Sequence, residues 1–166
     1  MMKKVIIIGC PGAGKSRFAR KLSEATGLPL VHLDMLYWNE DKTHINRNEL
    51  IEKVSRVMAG NAWIIDGNYL STLEIRLQCC DTVFFLDIPA QECLRGIEER
   101  RGKVRADMPW IESETDEELV AFVKSFSAEC RPKMMAMMDK YDDKNIVVFK
   151  TREQIEDYLM RLYKKI

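Results

Sequence analysis

Short apolar runs alternate along this chain with longer segments whose apolar residues recur at helical spacing. That alternation predicts a parallel β-sheet covered by helices. Residues 5–8 (VIII) are wholly apolar, as suits a strand buried on both faces, and the stretch from Lys15 places Phe18, Ala19, Leu22 and Ala25 on one stripe before Gly27. Residues 30–33 predict a second strand, and residues 48–58 a helix carrying Leu50, Val54 and Met58, closed by Gly60. Residues 63–65 predict a third strand. Ser71 and Glu74 have the spacing of a capping box, which predicts a short helix reaching Leu77. Residues 82–88 form the fourth expected strand, which Pro89 ends because it cannot donate to a ladder. The helix of residues 90–101 runs through Cys93, Leu94 and Ile97 to Gly102. From Asp116 to Tyr141 the apolar positions predict one long helix that Pro132 must kink or break. Residues 146–149 and 151–164 supply the last strand and helix.

Length adds that one domain, residues 1–166, holds all of these elements, with no repeat and no linker. Lys plus Arg and Asp plus Glu each number 26, so the net charge is zero and no global basic field points to nucleic acid or membrane. Hydrophobic residues at 46% and charged residues at 31% are the balance of a folded globular chain rather than a disordered one. The apolar run at residues 5–8 is too short for a signal core or a membrane span. The five cysteines have no C-x-x-C pair, and the two histidines lack metal-ligand spacing. A cytoplasmic protein with reduced thiols is expected, in which any metal arrives with a substrate.

The charges are unevenly placed between Arg95 and Glu118. Arg95, Arg100, Arg101, Lys103 and Arg105 come first, and Asp107, Glu112, Glu114, Asp116, Glu117 and Glu118 follow with no basic residue among them. This stretch reads either as a solvated helix end joined to an acidic helix start, or as a flap that brings arginines to a phosphate.

Gly9, Cys10, Pro11, Gly12, Ala13, Gly14, Lys15 and Ser16 spell G-x-x-x-x-G-K-S between an expected strand and an expected helix, which is the context this phosphate-binding motif requires. The glycines let successive N–H groups turn inward as an anion nest at the positive end of a helix. Lys15 adds a point charge for β and γ phosphates, and Ser16 a hydroxyl for Mg²⁺. With Arg17, this segment is the expected nucleotide-binding set. Three carboxylates, Asp34, Asp66 and Asp87, stand at the carboxyl ends of the second, third and fourth expected strands. In a parallel sheet those ends share one edge with the phosphate loop. Each reads as a site residue or as a helix cap or turn residue. No N-K-x-D element follows the last strand and no strand ends in Asp-Glu, which argues against a GTPase switch or a motor and leaves small-molecule phosphoryl transfer.

Taken together, GCPGAGKS, HLDMLYW, WIIDGNY, the R-x-x-L segment at Arg76, TVFFLDIP and the basic flap ending in DMP resemble the DNA topology modulation protein group of the adenylate-kinase-like P-loop kinases. The resemblance covers nearly the whole chain. It implies a three-layer α/β fold with a five-stranded parallel sheet in the order 2-3-1-4-5, an ATP site and a lid over residues 100–116. Where adenylate kinase has D-G-F-P-R, this chain has Asp66, Gly67, Asn68, Tyr69 and Leu70, so the arginine expected at an acceptor phosphate is absent unless Arg47 or Arg76 replaces it.

The resulting expectation is a kinase that transfers the γ-phosphoryl group of ATP to a small-molecule or nucleotide acceptor. Ser16 and Asp66 hold Mg²⁺, while Asp34 orients or deprotonates an acceptor hydroxyl. Arg76 lies at the acceptor, and Arg100, Arg101 and Arg105 complete the site from the lid. Tyr37 and Trp38 serve the acceptor or the core. Two rival readings are a nucleotide-binding regulator with slow ATP hydrolysis and a nucleic-acid-binding module.

Overall fold

A computed structural model describes residues 2–164. In chain order its elements are β1 (Lys4–Gly9), α1 (Lys15–Thr26), β2 (Leu30–His32), α2 (Leu33–Tyr37), α3 (Arg47–Met58), β3 (Trp63–Asp66), α4 (Leu70–Cys79), β4 (Thr82–Leu86), α5 (Ala90–Arg100), α6 (Glu117–Glu129), α7 (Arg131–Met138), β5 (Asn145–Phe149) and α8 (Arg152–Tyr163). The five strands form one parallel sheet in the order β2-β3-β1-β4-β5. This is the expected α/β architecture and strand order.

β1 is central because its apolar run needs no polar face: Val5 to Ile8 are all fully buried, as are Ile64 and Ile65 of β3 and Val83 to Leu86 of β4. Such strands need helices over both faces. One helix group, α1 with α8, and another, α4 with α3 and α7, supply that cover. Phe18 of α1 locks the first group to the sheet, meeting Phe84 edge-on at 4.9 Å and Phe149 at 5.6 Å. After β1 the chain crosses to the β2 edge, returns through β3 and then continues on the other side with β4. The carboxyl end of β1 is therefore the topological switch point, where open α/β sheets bind ligands.

Several boundaries differ from the sequence expectation. β2 stops at His32, and Leu33 instead opens α2, so Asp34 lies in a helical turn rather than at a strand end. β4 stops at Leu86, and Asp87 beyond it is held by Arg131, whose Nε and Nη2 each donate to a carboxylate oxygen at 2.8 Å. The Ser71–Glu74 capping box does not form. α4 begins two residues earlier, after Tyr69 in the left-handed region (φ 36°), and Glu74 instead accepts from the Tyr141 hydroxyl at 2.7 Å. The long helix divides at Cys130 into α6 and α7, with Pro132 in the first turn of α7 where its missing N–H is harmless. A true capping box stands elsewhere: the Asn46 side chain accepts from Glu49 N at 3.0 Å, and Asn46 N donates to Glu49 Oε2 at 2.8 Å. No described helix is long and apolar enough to cross a membrane.

These caps give a direct comparison. Asn46→Ala is expected to lower stability by about 1 kcal/mol, whereas Ser71→Ala is expected to stay within about 0.5 kcal/mol, both read from urea unfolding midpoints.

Candidate functional site

The loop from Gly9 to Gly14 leaves the end of β1 and enters α1 in a path that glycine permits. Gly12 and Gly14 have φ of 83° and 96°, and a Cβ on Gly12 would lie 2.0 Å from the Cys93 carbonyl oxygen. The first-turn N–H groups of α1 have no partner within the helix and lie where the loop enters it, at the positive end of the helix dipole. The loop is braced from outside. Asn68 receives Gly9 N on its Oδ1 at 2.9 Å and donates its Nδ2 to Gly9 O at 2.6 Å, and Arg152 Nη2 donates to Gly12 O at 3.1 Å. On the α5 side, a Cβ on Gly96 would sit 2.2 Å from Gly12 O.

Within the loop, Lys15 Nζ donates to the carbonyls of Gly9 at 2.9 Å and Cys10 at 3.1 Å. Burial pulls its pKa down, while Asp66 and Asp34 oppose that shift. Ser16 Oγ lies 2.7 Å from Asp66 Oδ2 and 2.8 Å from Asp107 Oδ2, and His32 Nδ1 lies 2.7 Å from the same Asp66 oxygen. The structure thus brings Ser16 and Asp66 together as the sequence suggested. Asp34 is beside them. Its Oδ1 accepts from the Tyr69 hydroxyl at 2.6 Å, and burial raises its pKa although that hydrogen bond and Lys15 work the other way.

A cavity of about 770 Å³ opens over these groups. Pro11, Gly12, Gly14, Lys15, Ser16 and Arg17 form its floor, Asp34, Trp38, Asp66, Asn68 and Tyr69 one wall, and flap residues Arg100, Arg105, Asp107 and Trp110 its cover. Gly9, Cys10 and Ala13 support the loop from within the fold rather than line the cavity; Cys10 and Ala13 are buried in the core. Arg17 sits at the margin, paired with Glu156 at 2.9 Å. Arg100 and Arg105 both reach Glu112, at 3.0 and 2.5 Å, and Arg105 also grips Asp107. The Arg105 contacts hold the Asp107 carboxyl down at about 2 against the desolvation that would raise it. Trp38 and Trp110 meet edge-on at 5.2 Å and so join the flap to the far wall.

Four expected site residues lie elsewhere. Arg76 is fully buried and turned into the backbone: its Nη1 donates to Gly67 O at 2.8 Å, its Nη2 to Asn68 O, and its Nε to Thr72 Oγ1 at 3.1 Å. Burial pulls its pKa down to about 9, which leaves the guanidinium charged at neutral pH, but it faces backbone carbonyls and does not line the cavity. Arg101 is exposed and binds Glu98 and Thr115 outside the cavity. Tyr37 stacks on His44 at 4.7 Å and packs against Trp38 and Tyr69, behind the wall rather than in it. Asp87 is the fourth, committed to Arg131. Arg47, the other candidate for an acceptor cation, is exposed at the start of α3 and does not line the cavity.

Sequence reasoning assigned no role to His32, Asn68, Tyr69, Asp107 or Arg152. Only the acidic side of the charge switch after Arg105 pointed toward Asp107.

No family model matches the chain. Among curated proteins it is 29% identical to the adenylate kinase of Thermotoga petrophila, over 52% of this chain and 40% of that protein. The chain therefore spans 40% of the length of the Thermotoga relatives it matches. It is 27% identical to the adenylate kinase of Mycolicibacterium paratuberculosis, over 84% of this chain and 86% of that one. Among solved structures, shikimate kinase from Bacteroides thetaiotaomicron superposes with a TM-score of 0.66 over 99% of this chain and 98% of that one, at 16% identity. Shikimate kinase from Acinetobacter baumannii in complex with shikimate gives 0.62 over 99% and 95%, at 14% identity. Together these similarities mark a P-loop kinase-like NTPase fold.

Arg76→Ala is expected to destabilise the protein by about 3 kcal/mol, since it strands buried carbonyls that a charged donor had satisfied. Chemical denaturation measures it. An effect confined to acceptor KM, with stability unchanged, would return Arg76 to the acceptor site.

Proposed function

We propose that this chain is an ATP-dependent kinase acting on a small acceptor through a hydroxyl group, a cytoplasmic single-domain enzyme of the DNA topology modulation protein-like type. The observation that carries this reading is the position of Asp34. Its half-buried carboxyl, bound to Tyr69, shares a cavity with Lys15 and Ser16. The wall contributed by the ends of β2 and β3 holds Asp34, Asn68 and Tyr69 and no arginine or lysine. A phosphate acceptor would need cations there, whereas a hydroxyl needs a group that takes its proton.

In this reading the amides of Gly12 to Lys15 cradle the β phosphate of ATP, and Lys15 leaves the loop carbonyls to neutralise charge on the transferred group. Ser16 and Asp66 would hold Mg²⁺ directly or through water; the unpaired, buried Oδ1 of Asp66 suits a hard cation. Held there, the ion would supply positive charge that offsets the charge of the phosphates during transfer. Asp34 accepts the acceptor's proton, and the Tyr69 hydroxyl holds the carboxylate in place. Trp38 offers an apolar face to the acceptor body. The segment of residues 100–116 acts as the lid, with Arg100 and Arg105 as its phosphate-facing cations, and excludes water from the transfer.

Two measurements test this reading, each by ADP release dependent on an added acceptor. Lys15→Ala is expected to lower turnover at least about 100-fold by removing charge from the transition state. Asp34→Asn is expected to lower kcat by about 100- to 10,000-fold and to remove the acid limb of the pH profile. That limb arises because a base with a raised pKa is active above it and lost as pH falls through it. Wild-type turnover in Asp34→Asn would turn the assignment toward a phosphate acceptor, and ADP release indifferent to any acceptor would favour a slow hydrolase.

A further inference from the structure

We propose that Asp107, carried by the flap, is a ligand of the divalent cation at the phosphate loop, so that cation binding and flap closure are one event. The inference deepens the proposed function by adding a cation ligand from outside the loop, and rests on that reading only for the share of the shell that phosphate oxygens provide.

The argument starts from one proton. Ser16 Oγ lies within hydrogen-bond distance of two carboxylate oxygens, 2.7 Å from Asp66 Oδ2 and 2.8 Å from Asp107 Oδ2, yet a hydroxyl has a single hydrogen to give. One of the two contacts therefore sets a hydroxyl lone pair against an anionic oxygen. That arrangement is repulsive unless a positive charge joins it. On Asp107 the Arg105 guanidinium already fills that role, its Nη2 meeting the same Oδ2 that faces Ser16. On Asp66, His32 already faces Oδ2 at 2.7 Å, while Oδ1 is buried with no hydrogen-bond partner among the described residues. Asp66 is 4% exposed and lines the cavity, so this is a desolvated, unpartnered carboxyl oxygen at the site itself. Leaving such a group unmatched is costly.

The donor set specifies the ion. Two carboxylates and a hydroxyl are hard oxygen ligands of the kind that select Mg²⁺ or Mn²⁺ over thiolate- and imidazole-seeking metals. Among the described residues no cluster of three His, Cys, Asp or Glu side chains could hold a metal unaided. The incomplete protein shell therefore leaves positions for water and phosphate, as Mg²⁺ sites commonly do. The three ligands come from α1, from the end of β3 and from the flap, 91 positions along the chain from Ser16. A cation bound to all three would tie the flap to the phosphate loop. A competing role for Asp107 is a latch that occupies Ser16 until nucleotide displaces it. The two roles predict opposite effects of removing the charge.

The test follows Mn²⁺ as the probe, by the loss of its free electron-paramagnetic-resonance signal on titrating the nucleotide-free chain. The wild type is expected to take up Mn²⁺, and Asp107→Asn to weaken that uptake about 10- to 100-fold. Asp107→Glu, which keeps the charge, is expected to recover part of the loss. A thermal melt establishes that each variant is folded, and Asp107→Ser offers a smaller uncharged replacement should the asparagine disturb the flap. Binding of a non-hydrolysable ATP analogue in EDTA is measured separately. Failure there in the wild type counts against the nucleotide reading alone, while the Mn²⁺ titration still decides Asp107. Mn²⁺ uptake that is absent in the wild type, or equal in wild type and Asp107→Asn, overturns the proposal. If the analogue also binds Asp107→Asn several-fold more tightly in EDTA, Asp107 is a latch.

Discussion

The constraint on which the structure depends is that the phosphate loop must keep its amides turned inward and is therefore free to be braced only from its outer side. The bracing uses carbonyls, small residues and side-chain amides. Asn68 pairs with both polar groups of Gly9 and so extends the β1–β3 ladder by one side chain beyond the end of β3. Arg152 holds Gly12 O from the start of α8 while also donating to Glu92 O in α5. Elements far apart in sequence thus converge on a few backbone atoms. The order of the sheet makes that convergence possible, because β3 and β4 flank β1 at the point where the topology switches.

A second layer of order lies in the backbone of residues 67–69. Tyr69 takes a left-handed conformation, unusual for a residue with a side chain, and the carbonyls of this turn are collected by the Arg76 guanidinium. The turn delivers Asn68 to the loop and the Tyr69 hydroxyl to Asp34. Arg76 therefore acts on the site at one remove, by shaping the segment that carries two of its polar groups.

These arrangements explain which features the sequence made legible. The strand, glycine loop and helix around Gly9–Ser16 were readable because the demand lies in the local backbone and leaves a fixed spacing. The buried strands were readable because β1, β3 and β4 have no polar face to obscure the pattern. Asp34 was found at the right edge for a partly mistaken reason: Leu33 leaves the strand to begin a short helix, a tertiary choice that periodicity over so few residues does not encode. Arg76 was misplaced because a cation near an acceptor looks the same in sequence whether it faces a ligand or a row of carbonyls. Asp107 was hidden because Ser16, whose hydroxyl it faces together with Asp66, is distant in the chain and only the fold brings the three together. The capping signal at Ser71 lost to the Tyr69 turn, which starts α4 in another way.

The close approach of Gly12 and Gly96 has a mechanical consequence. With no side chain between them, α5 rests directly on the phosphate loop, and neither can shift without the other. The flap is rooted at the end of α5, so the closure proposed above would not proceed by tilting that helix. Just beyond Arg101, Gly102 has φ of 72°, open space where a Cβ would stand, and a cross-link from its N–H to Glu112 O at 2.7 Å. In the closure proposed above, the phosphate loop and α5 would form the fixed base and Gly102 the point about which the flap turns.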